Sequence, residues 1–119
     1  MTVRRALFAA TAWLFLVGVV AQVTLAGTAL FELSDWTLHT ELGWGLPLVA
    51  IFVLVFAFVA RLDRRTLWVT LALALAATVQ PSLAEARSVS PLVAALHPVN
   101  ALLVFWLAVV VARRSLVRD

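Results

Sequence analysis

Four runs without a charged residue, 6–31, 42–60, 66–84 and 88–112, occupy most of this chain, and the charges sit in the short gaps between them. Each run holds at least 19 residues. About 20 residues rising about 1.5 Å each are enough to cross a hydrocarbon core of roughly 30 Å. The pattern predicts transmembrane helices over about 6–30, 38–60, 66–82 and 91–112, within one domain covering 1–119. Short connections make consecutive helices antiparallel, so the expected fold class is all-α: a polytopic membrane four-helix bundle, up-down-up-down.

The first run follows Arg4 and Arg5, as the apolar part of a signal peptide would. Its 26 residues exceed the roughly 7–15 of such a region, and it contains Gln22. A retained helix is the expectation. Along it Gly18 and Gln22 are four apart and share a face, where a small residue allows close helix approach. Trp36 and Trp44 suit an interfacial belt, and Trp13 and Trp106, inside spans, either line a cofactor or pack. In the first connection, Ser34 or Asp35 is positioned to cap the second helix.

Composition agrees with the pattern. The chain is 65% hydrophobic, where soluble domains run at roughly 45–50% apolar, and its mean hydropathy is +1.09. There is no cysteine, which excludes disulfides, thiolate catalysis and Cys-ligated metals. The sequence pI of about 11.5 would suit a nucleic-acid partner, but the charge distribution speaks against one. Arg4, Arg5, Arg61, Arg64, Arg65, Arg113, Arg114 and Arg118 lie at one set of span ends, with only Asp63 and Asp119 among them. Glu32, Asp35, Glu41 and Glu85 lie at the other, with Arg87 alone. The positive-inside rule then puts both termini and the 61–65 turn in the cytoplasm, with the protein in the cell inner membrane. The bilayer is the expected partner, together with a second copy or another membrane protein.

The candidate chemistry lies in a repeat. Residues 22–39 read QVTLAGTALFELSDWTLH, and 58 positions later residues 80–97 read QPSLAEARSVSPLVAALH. In each segment Gln and His stand 17 apart, Leu-Ala follows three residues after the Gln, and Leu-His closes the segment. The two histidines of the chain therefore occupy matching places, His39 on the second span and His97 on the fourth. The repeat implies two tandem helical hairpins, with the second and fourth helices diagonal across the bundle.

Two histidines on facing helices are one way to hold a haem iron by two axial imidazoles. Gly43, one turn below His39, would leave room for the ring edge. Gln22 and Gln80 would donate to a propionate or fix a histidine's second nitrogen. Arg87, the lone cation at that end, would meet a propionate. Pro98 has no N–H for the carbonyl of Ala94, which leaves an acceptor beside His97.

Depth argues the other way. Counted at about 1.5 Å per residue from the basic ends, Gln22, Gln80 and His97 stand about 22–25 Å up, but His39 about 33 Å. Unless tilt, a longer second helix or a kink at Pro47 removes this turn and a half, the imidazoles do not share one iron. Other chemistry is missing from the sequence. It has no HExxH, no Gly-rich phosphate loop, no nucleophile elbow and no carboxylate in mid-span.

The segments AQVTLAG and LHTELG resemble the Gln-containing first helix and His-containing second helix of haem A synthase. QPSLAE and ALHPVNALL are similar, more loosely, to its next helix pair. The whole chain would correspond to one four-helix half, and the resemblance implies haem ligation at His39 and His97. The cysteines of that family's first outer loop have no counterpart here, and the second half is absent. Through Gln-xx-Leu-Ala-Gly, Leu-His-xxx-Gly and Leu-His-Pro-xx-Ala, nearly the whole chain also resembles a family of small uncharacterised four-pass prokaryotic membrane proteins. That likeness implies fold and little more.

Two functions follow. The favoured one is a non-catalytic helix bundle or accessory subunit, in which Gln22, Gln80 and Asn100 join helices and the histidines have no shared focus. The other is a membrane redox protein carrying a b-type haem on His39 and His97.

Overall fold

The computed structural model describes residues 2–117. Helix α1 spans Val3–Leu30, α2 Thr37–Val59 and α3 Arg64–Glu85. A 3-10 turn at Ala86–Ser88 leads to one helical turn, α4 (Pro91–Ala94), and then to α5 (Leu96–Arg114). Among the described residues the fold is all-α with no strand. Arg118 and Asp119, counted above with the basic end, lie outside the described residues.

Four helical segments match the four apolar runs, with two differences at prolines. α3 continues through Pro81 to Glu85, beyond the expected end near 82. The fourth segment is broken at Ala95, between α4 and α5. Pro98 explains the break, because it offers no N–H to the carbonyl of Ala94 and its ring crowds that turn.

The connections are fixed by their own hydrogen bonds. At the end of α1 the N–H of Leu33 donates to the carbonyl of Thr28 (2.8 Å) and that of Glu32 to Ala29 (3.2 Å). α2 ends in the same way, with Leu62 donating to Ala57 (3.2 Å) and Arg61 to Phe58 (2.9 Å). These paired bonds close a Schellman motif, whose pivot must be left-handed. Glu32 (φ 60°) and Arg61 (φ 51°) fill the two pivots, where glycine would sit without strain. At the start of α2 the N-cap is Trp36, which makes no side-chain capping bond; Asp35, one residue earlier, accepts from the N–H of Thr37 through Oδ1 (2.9 Å). Asp63 accepts from the N–H (3.0 Å) and hydroxyl (2.5 Å) of Thr66. The Thr37 backbone bond holds the Asp35 carboxyl below the usual carboxylate range, and the Thr66 hydroxyl and N–H do the same for Asp63.

The four long helices pack in a ring, α1–α2–α3–α5–α1, so that α1 faces α3 and α2 faces α5 across the diagonals. Gly18 lets α1 and α2 approach: a Cβ there would lie 2.6 Å from Leu46 Cδ2. The buried core of Phe8, Phe15, Val53, Leu73, Ala108 and Val111 lies in the half nearer the chain ends. Thr70, fully buried in the same layer, satisfies its hydroxyl on the carbonyl of Thr66 (2.8 Å). The other half of the bundle is not filled by side chains. There the helices border a cavity that is open on one side.

Candidate functional site

The cavity has a volume of about 690 Å³, within the roughly 300–1,000 Å³ of small-molecule and cofactor sites. Phe15, Val19 and Val104 form its floor toward the packed core. Its polar lining includes the four residues of the repeat, Gln22 from α1, His39 from α2, Gln80 from α3 and His97 from α5, together with Thr40, Glu85 and Arg87.

The repeated Gln–His spacing forms the same clamp twice. In the first copy, Gln22 Nε2 donates to the backbone carbonyl of His39 (2.7 Å), and His39 Nδ1 lies 3.1 Å from the backbone carbonyl of Gln22. In the second, Gln80 Nε2 donates to the carbonyl of His97 (2.9 Å), and His97 Nδ1 lies 3.0 Å from the carbonyl of Gln80. A carbonyl oxygen only accepts, so each Nδ1 carries a proton. In the neutral imidazole Nε2 is then a lone pair, and that of His97 lies 3.4 Å from the amide donor Gln80 Nε2, so the second clamp touches both ring nitrogens. The expectation that a glutamine fixes each histidine's second nitrogen is met by the glutamine's backbone, while its side chain grips the histidine's backbone.

The two rings meet edge to face, with centroids 6.5 Å apart and planes at 70°. An imidazole nitrogen binds a metal at roughly 2.0–2.1 Å, and with about 1.1 Å from nitrogen to ring centre, two such rings on one ion stand about 6.3 Å apart. The depth objection therefore does not hold. Counting from the basic ends treated the helices as straight parallel rods. The two Gln–His clamps set the register instead, and they bring His39 level with His97.

Other expected residues are found in mixed places. Arg87 lies on the 3-10 turn, exposed at the cavity mouth beside Glu85. Gly43 borders the cavity, but its missing Cβ makes room for Gln22: a Cβ would come 2.8 Å from Gln22 Nε2. That space serves the clamp and not a ring edge. Trp13 and Trp106 do not line the cavity, and both are exposed on the outside of the bundle.

Trp36 was not foreseen beside a histidine, whereas Asn100 makes the helix contact expected of it. Trp36 sets its ring edge-on to His39, with centroids 5.4 Å apart. Asn100 Nδ2 donates to Gln80 Oε1 (2.6 Å) and to the carbonyl of Ala76 (2.9 Å), which ties the second clamp to α3. The first clamp has no such support, and Gln22 Oε1 is buried without a hydrogen-bond partner. The sequence held a signal for this difference. Asn100 follows His97 by three residues, whereas Leu42 follows His39 by three.

Among the described residues no group of three or more His, Asp or Glu side chains converges as a metal cage would. The available set is two imidazoles, one from α2 and one from α5, each with Nδ1 on a backbone carbonyl.

Comparison with known proteins adds a family without an activity. No curated protein and no solved structure matches the chain. Residues 22–87 match a family described as Family of unknown function (DUF6220). The match begins at Gln22 and ends at Arg87, so it includes the first clamp and Gln80 but stops short of His97 and Asn100. Because it covers more than half of the sequence, the chain belongs to that family of unknown function, DUF6220.

Proposed function

We propose that this is a four-pass membrane protein that carries one b-type haem between its two hairpins, with His39 and His97 as axial ligands, and passes single electrons. The observation that carries the proposal is the pair of opposed imidazoles, 6.5 Å between centroids, each anchored through Nδ1. Metal-bound histidines usually donate their other ring N–H to a backbone carbonyl or carboxylate, which fixes ring and tautomer. Both histidines here donate from Nδ1 to a backbone carbonyl in this way. This arrangement favours the haem reading over the accessory-subunit reading, which expected a filled core and histidines without a shared focus.

The fit extends beyond the ligands. His39 from α2 and His97 from α5 would hold the group, and α1 and α3 line the rest of the cavity. Those helices present Ala26, Ala77 and Ala84 to the cavity, side chains small enough to leave room for a flat group. Arg87 at the mouth is placed to pair with a propionate. Bound there, haem would supply one-electron redox chemistry, at a potential tuned by its axial ligands and by an apolar surrounding. The chain's own part is to hold two imidazoles in place through their Nδ1 bonds, to close the floor with Phe15, Val19 and Val104, and to meet the acid groups at the rim. The likeness of the Gln and His segments to one half of haem A synthase points the same way.

The membrane part rests on the helices themselves. All four segments are long and apolar enough to cross a bilayer. Large apolar side chains such as Val17, Phe58, Leu75 and Trp106 stand about 60% exposed on the outside of the bundle. In water, so much exposed apolar surface would drive association, whereas in lipid it is the solvated face. The basic end then faces the cytoplasm, the cavity lies toward the opposite side, and the inner membrane is the location. Titration of haem into the full-length protein in mild detergent tests the assignment. One equivalent per chain should saturate a low-spin spectrum, and the doubly substituted His39→Ala/His97→Ala protein should take up none. Equal uptake by both proteins would defeat it.

A further inference from the structure

We propose that a cleft at the basic end of the bundle binds the phosphodiester group of one anionic lipid from the cytoplasmic leaflet, held by Arg5 of α1 and Arg114 of α5. This rests on the membrane part of the reading above and is independent of the haem.

The cleft has a volume of about 80 Å³ and is lined by Arg5, Leu62, Asp63, Thr66, Arg114 and Val117. Three segments distant in sequence meet there: the start of α1, the start of α3 with the turn before it, and the end of α5. The other described arginines at this end are exposed, whereas Arg5 and Arg114 are half-buried. A guanidinium drawn partly out of water needs acceptors in return. Arg114 has one, since its Nη1 donates to Thr66 Oγ1 (3.2 Å). Its Nε is buried with no hydrogen-bond partner among the described residues.

The neighbours have little more to give. The Thr66 hydroxyl donates to Asp63 Oδ2 (2.5 Å) and its N–H to Asp63 Oδ1 (3.0 Å), so both carboxylate oxygens are engaged in capping α3. Thr66 thus fixes Arg114 in place and leaves its other donors for a ligand. A guanidinium fork suits phosphate oxygens, which accept two parallel N–H bonds.

Charge and position choose the ligand. The charged side chains of the lining carry an excess of one positive charge. A phosphodiester, singly negative, matches it better than a phosphomonoester at about −1.5 to −2. Trp68, half a turn beyond Thr66 on α3, is 59% exposed, as an indole at the lipid headgroups would be. Leu62 and Val117 offer apolar contact to the glycerol and the first methylenes of a lipid. Basic pockets between transmembrane helices on the cytoplasmic side are where anionic headgroups bind. A phosphate here would tie α1 to α5, neighbours in the ring that no connection of the chain joins.

The test is titration of the full-length protein in neutral detergent micelles with phosphatidylglycerol, phosphatidylcholine, or inorganic phosphate at matched ionic strength. Thermal unfolding is followed by tryptophan fluorescence, and retained lipid is counted by native mass spectrometry. Phosphatidylglycerol should raise the melting temperature and saturate at one lipid per chain, and the other two additives should do neither. Arg114→Gln should weaken phosphatidylglycerol binding at least about tenfold. Arg5→Gln should do the same, and decides the matter if Arg114→Gln fails to fold. Arg113→Gln, at an exposed neighbour, should bind as the wild type does. Equal weakening by Arg113→Gln and Arg114→Gln, or lipid uptake that never saturates, overturns the site. A rise with inorganic phosphate that Arg114→Gln abolishes overturns the lipid and assigns the cleft to a free anion. Protein that stays soluble without detergent defeats the membrane reading and this inference together, while the haem reading is decided separately by its own spectrum.

Discussion

The glutamines show most plainly how a residue's surroundings decide what it is worth. Gln22 and Gln80 are the same residue in the same clamp, yet their side-chain oxygens differ: one is bonded by Asn100 and the other is buried alone. Gln80→Leu removes the bond to the His97 carbonyl and the bond from Asn100, which keeps only the carbonyl of Ala76. Gln22→Leu removes one bond but also the unsatisfied oxygen. Helix-to-helix hydrogen bonds in lipid average about 0.6 kcal/mol and reach about 1.7. Gln80→Leu should therefore cost about 2 kcal/mol and Gln22→Leu less than about 1, measured by unfolding in mixed micelles. Equal losses would show that Asn100 does not support the second clamp. The pairing of Gln with His was legible in the sequence, because the 17-residue spacing occurs twice. Which atoms would pair was not legible, since side chain and backbone of both residues offered partners. Gly43 was misjudged for that reason: its open space is filled by an amide whose direction no spacing rule gives.

Among the elements, the two Schellman ends carry a removable strain. A side chain in the left-handed region costs roughly 1–2 kcal/mol relative to glycine, offset in part by the greater freedom glycine has when unfolded. Glu32→Gly should thus raise the melting temperature and stabilise by about 1 kcal/mol, since Glu32 holds the pivot between α1 and α2 at φ 60°. A drop in stability would mean that the Glu32 side chain does more than the fold explains. The acidic caps add a dependence on pH. Asp35 and Asp63 both have folded-state carboxyls held below the usual range, by Thr37 and Thr66. Their contribution is present above the unfolded carboxylate pKa, near about 4, and is lost as pH falls through the lower folded values. Asp63→Asn should flatten the acid limb of a pH–stability curve, and an unchanged limb would argue against the cap. The helices were legible because charge-free runs and span lengths agree. The continuation of α3 through Pro81 and the break at Ala95 were not, because a proline's effect depends on whether its neighbours supply the missing contacts.

At the scale of the whole molecule, the bundle is solid in one half and open in the other. The solid half comes from Phe8, Phe15, Val53, Leu73 and Val111, and Phe15→Ala should cost about 3–5 kcal/mol by leaving a void. Reporter fusions in cells should place both termini and the 61–65 turn in the cytoplasm and the 31–36 connection outside; the reverse would refute the reading of the arginines. The diagonal placement of the histidine-bearing helices followed from helix order alone. Their common level did not, because it depends on tilt and on the clamps, and residue counting sees neither. That level is what the function now turns on. The most direct test is the visible spectrum of the detergent-purified protein, oxidised and dithionite-reduced, for the wild type, His39→Ala and His97→Ala. Haem held between the two imidazoles predicts a Soret band with sharp reduced α and β bands in the wild type, and loss of that six-coordinate signature in either variant. A wild type grown with ample haem that shows no Soret band, or variants that keep the signature, would contradict it.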